Sequence, residues 1–314
     1  MLRLGESRQS ARSSSGEAAA GPSSGSATPE TNSTWAPAET YPDISAASAE
    51  CGRFGGWWDH VTVPLEGLHG DRDRAESFGS RAEQYDRLRP AYPVALIDDL
   101  VSLDAWDVVD VGCGTGKAAL ALIDRGLRVL GVEPDEAMAA VARRHGVPVD
   151  VATFEAWDPE GRAFDLLTAG HAWHWVNPVM GLRKAASVVI PGGTVALFWN
   201  YHALEEPLLE TLERVYAACA PELEVLGRDP TGSPDSDPFL GSDQFTPGEP
   251  RIYRWPRELS ANEWVDMLAT FSDHQCLGKD RLLDLQDALR AAIDKSGGTV
   301  RSLCGTYVWS ARRL

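Results

Sequence analysis

The stretch Val108 to Leu122, VVDVGCGTGKAALAL, constrains this chain more than any other. It opens on the β-branched residues Val108, Val109 and Val111, which suit a strand buried on both faces of a parallel sheet. Three glycines follow, Gly112, Gly114 and Gly116, and then the helix-forming run from Lys117 to Ile123, which stops before Gly126. Strand, glycine turn and helix in that order bring a backbone close beneath a ligand and point the first helical N–H groups at it.

The spacing narrows the ligand. A dinucleotide loop reads G-x-G-x-x-G, whereas this one reads G-C-G-T-G after Asp110. A P-loop needs G-K-[ST], and Lys117 is followed by Ala118. The strand LRVLGVEP then ends in Glu133, where a carboxylate can accept hydrogen bonds from both hydroxyls of a ribose. Asp135 is placed to cap the helix DEAMAAVARRH. These two elements together resemble the Rossmann-like (class I) S-adenosylmethionine (SAM)-dependent methyltransferases, whose first motif has the form hh[DE]hGxGxG.

The resemblance extends along about Phe78 to Arg312, and it is nearest to the small-molecule enzymes of the trans-aconitate and ubiquinone/menaquinone types. SFGSRAEQYDRLRPAYP is similar to the family segment that folds over the cofactor as an N-terminal helical lid, which puts Tyr85 and Arg89 at the site. AGHAWHWVNP, beyond the fourth strand, is similar to the family's h-x-A-h-H-W-h-x-P, with His171 where Gln or Ser is more usual. The resemblance implies SAM as cofactor. The cofactor-binding set it implies is Asp110, Gly112, Cys113, Gly114, Gly116, Glu133, Pro134, Met138, Phe154, Glu155, Ala169 and Arg89. His174, His171 and Tyr85 are the candidate catalytic residues, either histidine as general base on a hydroxyl or amine. The competing reading is a His-Trp pair that shapes a pocket floor. Trp173, Trp175 and Trp199 fall on segments expected around the methyl group, Trp199 rather as packing. No carboxylate or cysteine completes a metal-ligand set with His171, His174 and His202, so no metal is expected.

The implied fold is α/β, a doubly wound seven-stranded sheet of order 3-2-1-4-5-7-6. Residues 1–56 read as a disordered tail, because Ser, Ala, Gly, Pro and Thr dominate and large apolar residues are isolated. A start site placed upstream and a transit peptide are the other readings of that tail. Residues 57–104 read as linker and helical lid, 105–200 as the SAM-binding core, and 201–314 as a helical insertion with strands that complete the sheet. VPVDVATFEAW reads as the third strand, TVALFWN as the fifth, and GRDPTGSPDSDPFLGSDQFTPGEP as a long acidic loop. Ser260 and Glu263 form a capping-box pattern.

A formal net charge of −17 argues against a nucleic-acid partner, since a phosphate backbone needs a basic face. No apolar run approaches a membrane span, and the five unclustered cysteines read as reduced thiols of a cytoplasmic protein, monomer or homodimer. The expected partner is a small methyl acceptor. Two other functions fit parts of the pattern. An NAD-linked oxidoreductase is opposed by the loop spacing, and a non-catalytic SAM-binding protein would keep the loop and Glu133 but block the methyl pocket.

Overall fold

The computed structural model describes residues 68–71, 77–227 and 237–314. The expected tail over 1–56 lies outside them, as does the middle of the acidic loop at 228–236.

Two short helices, α1 (Ala82–Leu88) and α2 (Val94–Val101), precede the sheet. Between them Pro90 and Pro93 break the helical run, and Pro93 stands as an extended N-cap where its missing N–H costs no bond. Helix α2 turns Leu96, Ile97 and Leu100 inward, each buried side chain contributing about 1.5–3 kcal/mol. Strand β1 (Asp107–Val111) then leads through the glycine loop into α3 (Lys117–Ile123). Two further strands alternate with a helix: β2 (Arg128–Val132), α4 (Glu136–Arg144) and β3 (Val149–Asp150). Strand β4 (Phe164–Gly170), a 3₁₀ turn at Trp173–Trp175, α5 (Pro178–Val188) and β5 (Val189–Leu204) complete the parallel half. The remainder comprises α6 (Glu206–Cys219), β6 (Phe245–Pro247), β7 (Arg251–Ser260), α7 (Ala261–Leu268), α8 (Ser272–Gln275), α9 (Lys279–Lys295) and β8 (Thr299–Arg313).

The sheet order is β3-β2-β1-β4-β5-β8-β6, with β7 also on β8. Strands β1 to β5 run parallel and β8 runs antiparallel to β5. This is the expected order in seven positions, with the outermost position divided between two strands. Strand β7 pairs with Thr299–Val308 and β6 with Ala311–Arg313, so eight strands occupy the seven positions. Strand β6 was expected as part of the acidic loop; Phe245, 2% exposed, seats it on the core.

Alternation along the strands separates two apolar layers. Val109, Val111, Leu167 and Leu197 face Trp157, Trp173 and α5. Val108, Leu166, Ala196 and Phe198 face α2, α3 and α4. A third cluster joins α6, α7 and α9 over Leu204, Leu259 and Val300. The capping box of α7 forms as read, with Ser260 and Glu263 bonded reciprocally. Two expectations need correction. The third strand is two residues long, because Thr153 turns the chain by accepting from the amides of Ala156 and Trp157. The fifth strand is sixteen residues long, because β8 pairs with it from Thr194 to Leu204, past residue 200.

Candidate functional site

Two cavities open at the carboxyl ends of the parallel strands and meet at the glycine loop. Both are lined by Tyr85, Gly112, Gly114, Gly170 and His171. The second cavity adds Glu133, Pro134, Met138, Phe154, Glu155 and Trp175. The first adds Asp110, Cys113 and Arg89, then Asn200 and His202 from the end of β5, and Phe271.

All three loop glycines have positive φ, +61° at Gly112, +56° at Gly114 and +88° at Gly116. At Gly112 a Cβ would run into the Cβ of Ala172, whereas at Gly114 it would meet only Met138 Cε at 3.4 Å. The turn is tied to the tip of β2. Gly114 donates its amide to Glu133 Oε2 at 2.8 Å, and Asp135 donates its amide to Oε1 at 3.0 Å. Glu133 is 6% exposed, and burial raises its pKa to about 7 although two backbone amides bond it. Asp110 is also driven to about 7 by burial, although Thr168 donates to its Oδ1 at 2.7 Å.

The lid lies against this carboxylate-rich floor. Asp135 caps α4 through the amides of Ala137 and Met138 and accepts from the amide of Gly79 at 2.8 Å. Phe78 meets Tyr85 and Trp175 edge to face, with centroids 6.0 and 6.1 Å away. Burial raises the Tyr85 phenol above its usual range. The Arg89 guanidinium lies 5.2 Å from the Tyr85 ring centre.

His171 and His174 are placed differently. His171 holds a left-handed φ of 54°, a strained conformation for a non-glycine residue, and its Nε2 accepts from the amide of Asn200 at 2.6 Å. Burial first, then the charge of Arg89, hold it well below the ordinary imidazole pKa, so it is neutral at pH 7. With Nε2 accepting, the proton of the neutral ring is on Nδ1. His174 lies outside both linings, and its Nδ1 accepts from Trp199 Nε1 at 3.1 Å. Trp173 is core, packed on Phe154 at 6.1 Å. Gly116 and Ala169 also lie outside the linings. Gly116 faces Val147 and Ala142 instead, and Ala169 is fully buried beneath the site.

Sequence reasoning did not single out Asn200, Tyr201, Phe271 or Lys117 as site residues, and it weighed His202 only as a metal ligand. The first two and His202 had a signal, since they end a strand of the parallel sheet, where ligands gather. Phe271 sits in no motif. His202 is 5% exposed, and its Nδ1 lies 3.2 Å from Ser302 Oγ and 3.3 Å from Cys304 Sγ. Burial, helped by Arg257 and Arg89, lowers its pKa to about 4.

A family model described as "Methyltransferase domain" matches residues 109–197. An uncharacterized methyltransferase of Mycobacterium tuberculosis (strain H37Rv) is 33% identical over 204 residues, 64% of this chain and 79% of that one. A Saccharomyces cerevisiae protein described as an S-adenosylmethionine-dependent methyltransferase is 29% identical over 241 residues, 72% of each chain. Among solved structures, one described as a type II methyltransferase from Anaeromyxobacter dehalogenans superposes with a TM-score of 0.56 at 25% identity. That match covers 71% of this chain and 97% of the other. Sheet order, glycine loop, strand-tip carboxylate and these relatives agree, and the chain belongs to the Rossmann-like SAM-dependent methyltransferases.

Proposed function

We propose that the two cavities form one reaction chamber, in which the adenosine of SAM occupies the second cavity and its amino-acid end enters the first. The observation that carries this reading is the Glu133 carboxylate. Each of its oxygens accepts one backbone N–H and keeps one lone pair, so two acceptors remain on the cavity side for two ribose hydroxyls. The residues fit the rest of the ligand as well. Pro134, Met138 and Phe154 offer apolar walls to an adenine beside Glu155, and the two buried carboxylates of the floor, Asp110 and Glu133, favour a ligand that brings positive charge.

Bound SAM supplies an electrophilic methyl on a sulfonium with a thioether as leaving group, so the protein need only bring the acceptor into line and exclude water. Gly112 and Gly114 carry the backbone past the junction of the cavities. Tyr85 and Phe78 close it from the lid side, and Tyr85 presents an aromatic face on which a cation is favoured. His171 serves as a fixed donor through Nδ1–H and not as a general base, because the Asn200 amide occupies Nε2. His174, outside both linings, accepts from Trp199 and takes no part in the chamber. The acceptor is a small molecule admitted to the first cavity.

Cys113, Cys219, Cys276 and Cys304 are all unpaired, which supports work in the reducing cytoplasm. No described helix is long and apolar enough to cross a membrane. The charge of −17 supports a protein that acts without nucleic acid, as a monomer or homodimer.

The test is calorimetric titration with SAM, S-adenosylhomocysteine and NADH, followed by a screen of small acceptors for release of S-adenosylhomocysteine. SAM and S-adenosylhomocysteine should bind and NADH should not. Preference for NADH would overturn the reading. SAM binding without turnover on any acceptor would favour a binding protein over an enzyme.

A further inference from the structure

Beyond β4 its pairing with β5 ends on a side chain. The amide of His171 donates to the Phe198 carbonyl at 2.8 Å, and the chain then turns away through the left-handed φ of His171. The amide of Asn200 donates to the His171 ring at 2.6 Å, where a parallel ladder would offer a carbonyl. From the other side comes Thr306 of β8, fully buried and paired with Asn200 across the sheet. Its hydroxyl donates to Asn200 Oδ1 at 2.6 Å. Asn200 is thus held through its backbone by His171 and through its side chain by β8.

A carboxamide has one accepting oxygen and two N–H donors. With Oδ1 engaged by Thr306, the donors are on Nδ2, which bonds to none of the described residues. Asn200 is half-buried and lines the first cavity. Donors held still along a cavity wall, and bonded to nothing in the protein, are completed by an atom that accepts. His202 follows on the same face of β5, with its Nδ1 beside Ser302 and Cys304 and its ring uncharged at pH 7. Neither residue carries a charge, so this wall suits a carbonyl oxygen, which needs no counter-ion.

Its place in the sheet gives this donor to the second substrate. The glycine loop leaves β1, and β5 lies two strands away in the order β1-β4-β5. Neighbouring strands stand about 4.8 Å apart, so the tip of β5 is about 10 Å from that of β1, beyond hydrogen-bond reach of a cofactor group held at the loop. We propose that Asn200 is a specificity-determining residue, which donates from Nδ2 to an uncharged carbonyl oxygen of the methyl acceptor, and that Thr306 is the positioning residue that aims it. The proposal rests on the methyltransferase reading of the two cavities. A group that only donates, such as an amine, finds nothing on Nδ2 to accept it. Tyr92, Leu226 and Phe271 also line this cavity, so the rest of the acceptor is apolar or aromatic.

The experiment uses the full chain at pH 8, saturated with S-adenosylhomocysteine after calorimetry has established that this ligand binds. Three aromatic probes of similar size are titrated. Acetophenone only accepts, 2-phenylpropene has C=CH₂ in place of the carbonyl, and N-methylaniline donates. Acetophenone should bind at least tenfold more tightly than 2-phenylpropene. Asn200→Asp keeps the shape and an oxygen for Thr306 but has no N–H. It should weaken acetophenone tenfold or more while 2-phenylpropene and S-adenosylhomocysteine stay within threefold. Should Asn200→Asp fail to fold, Asn200→Ala should give the same separation. Thr306→Val should weaken acetophenone threefold or more, and Thr306→Ser, which keeps the hydroxyl, should restore it; a packing role alone would not give that rescue. Acetophenone bound no better than 2-phenylpropene, or equally well by wild type and Asn200 variants, overturns the proposal. A tenfold gain of N-methylaniline in Asn200→Asp shows that this position accepts, and overturns the donor role. A tenfold loss of S-adenosylhomocysteine in an Asn200 variant assigns the amide to the cofactor and also overturns it. Failure of the wild-type protein to bind S-adenosylhomocysteine removes the methyltransferase reading and this inference with it.

Discussion

Glu133 Oε2 accepts the amide hydrogen of Gly114 at 2.8 Å, so the tip of one strand holds the turn that leaves its neighbour. The residue expected to bind a ribose therefore also shapes the glycine loop. Its other oxygen, Oε1, is held by the amide of Asp135.

Glu133→Gln separates acceptor from charge. A glutamine oxygen can accept from Gly114 or from Asp135, and its NH₂ then confronts the other amide. SAM affinity should fall by about 1.5–3 kcal/mol, the range for hydrogen bonds to a charged acceptor. Calorimetry that returns the wild-type Kd would remove Glu133 from the cofactor site.

The two floor carboxylates give a pH signature. Burial raises Asp110 from 3.8 and Glu133 from 4.5, each to about 7. Between those values the folded protein holds protons that the unfolded chain has released. The stability of the ligand-free protein therefore falls as pH rises from about 4 to 7 through these groups. Asp110→Asn removes one of them while its Oδ1 can still accept from Thr168. The stability of Asp110→Asn minus that of wild type, from urea unfolding, should grow more positive between pH 5 and pH 8. Parallel curves would refute this. SAM affinity of the wild type should move the other way, rising with pH as the carboxylates ionise to meet a cation.

The sequence carried the parallel half of the fold because its signals are local. The Val108–Val111 run, the glycine turn and the Asp135 cap each settle a conformation within a few residues. The cavity linings then include most of the expected cofactor set, from Asp110 to Glu155, because those residues end strands whose order the topology sets. Long-range facts were harder to read. The length of β5 depends on β8, more than a hundred residues later, and the brevity of β3 on the turn at Thr153. The division between His171 and His174 was invisible, since both sit in one motif. Only the Asn200 amide and the Trp199 indole, brought by β5, distinguish them. Phe271 and Thr270 lie more than 180 residues from the Arg89 they hold.

The glycine loop is the second support of the cofactor reading, beside Glu133, and its glycines allow that support to be divided. The resemblance places both Gly112 and Gly114 against the cofactor. In the structure the protein itself crowds Gly112, where a Cβ would strike Ala172, whereas at Gly114 it reaches only the flexible end of Met138. Both residues have left-handed φ, which costs an alanine about 1–2 kcal/mol. Gly112→Ala adds overpacking of about 1–3 kcal/mol, so its loss of stability should be the larger. Gly114→Ala keeps the amide that bonds Glu133 and should remain folded, yet its methyl enters the junction of both cavities. Gly114→Ala should therefore lower the melting temperature modestly and weaken SAM by tenfold or more, about 1.4 kcal/mol. Thermal unfolding and SAM titration of the two variants in parallel decide the matter. Should Gly114→Ala bind SAM within a factor of about three of wild type, under 1 kcal/mol, the loop does not hold the cofactor and the proposed chamber is wrong.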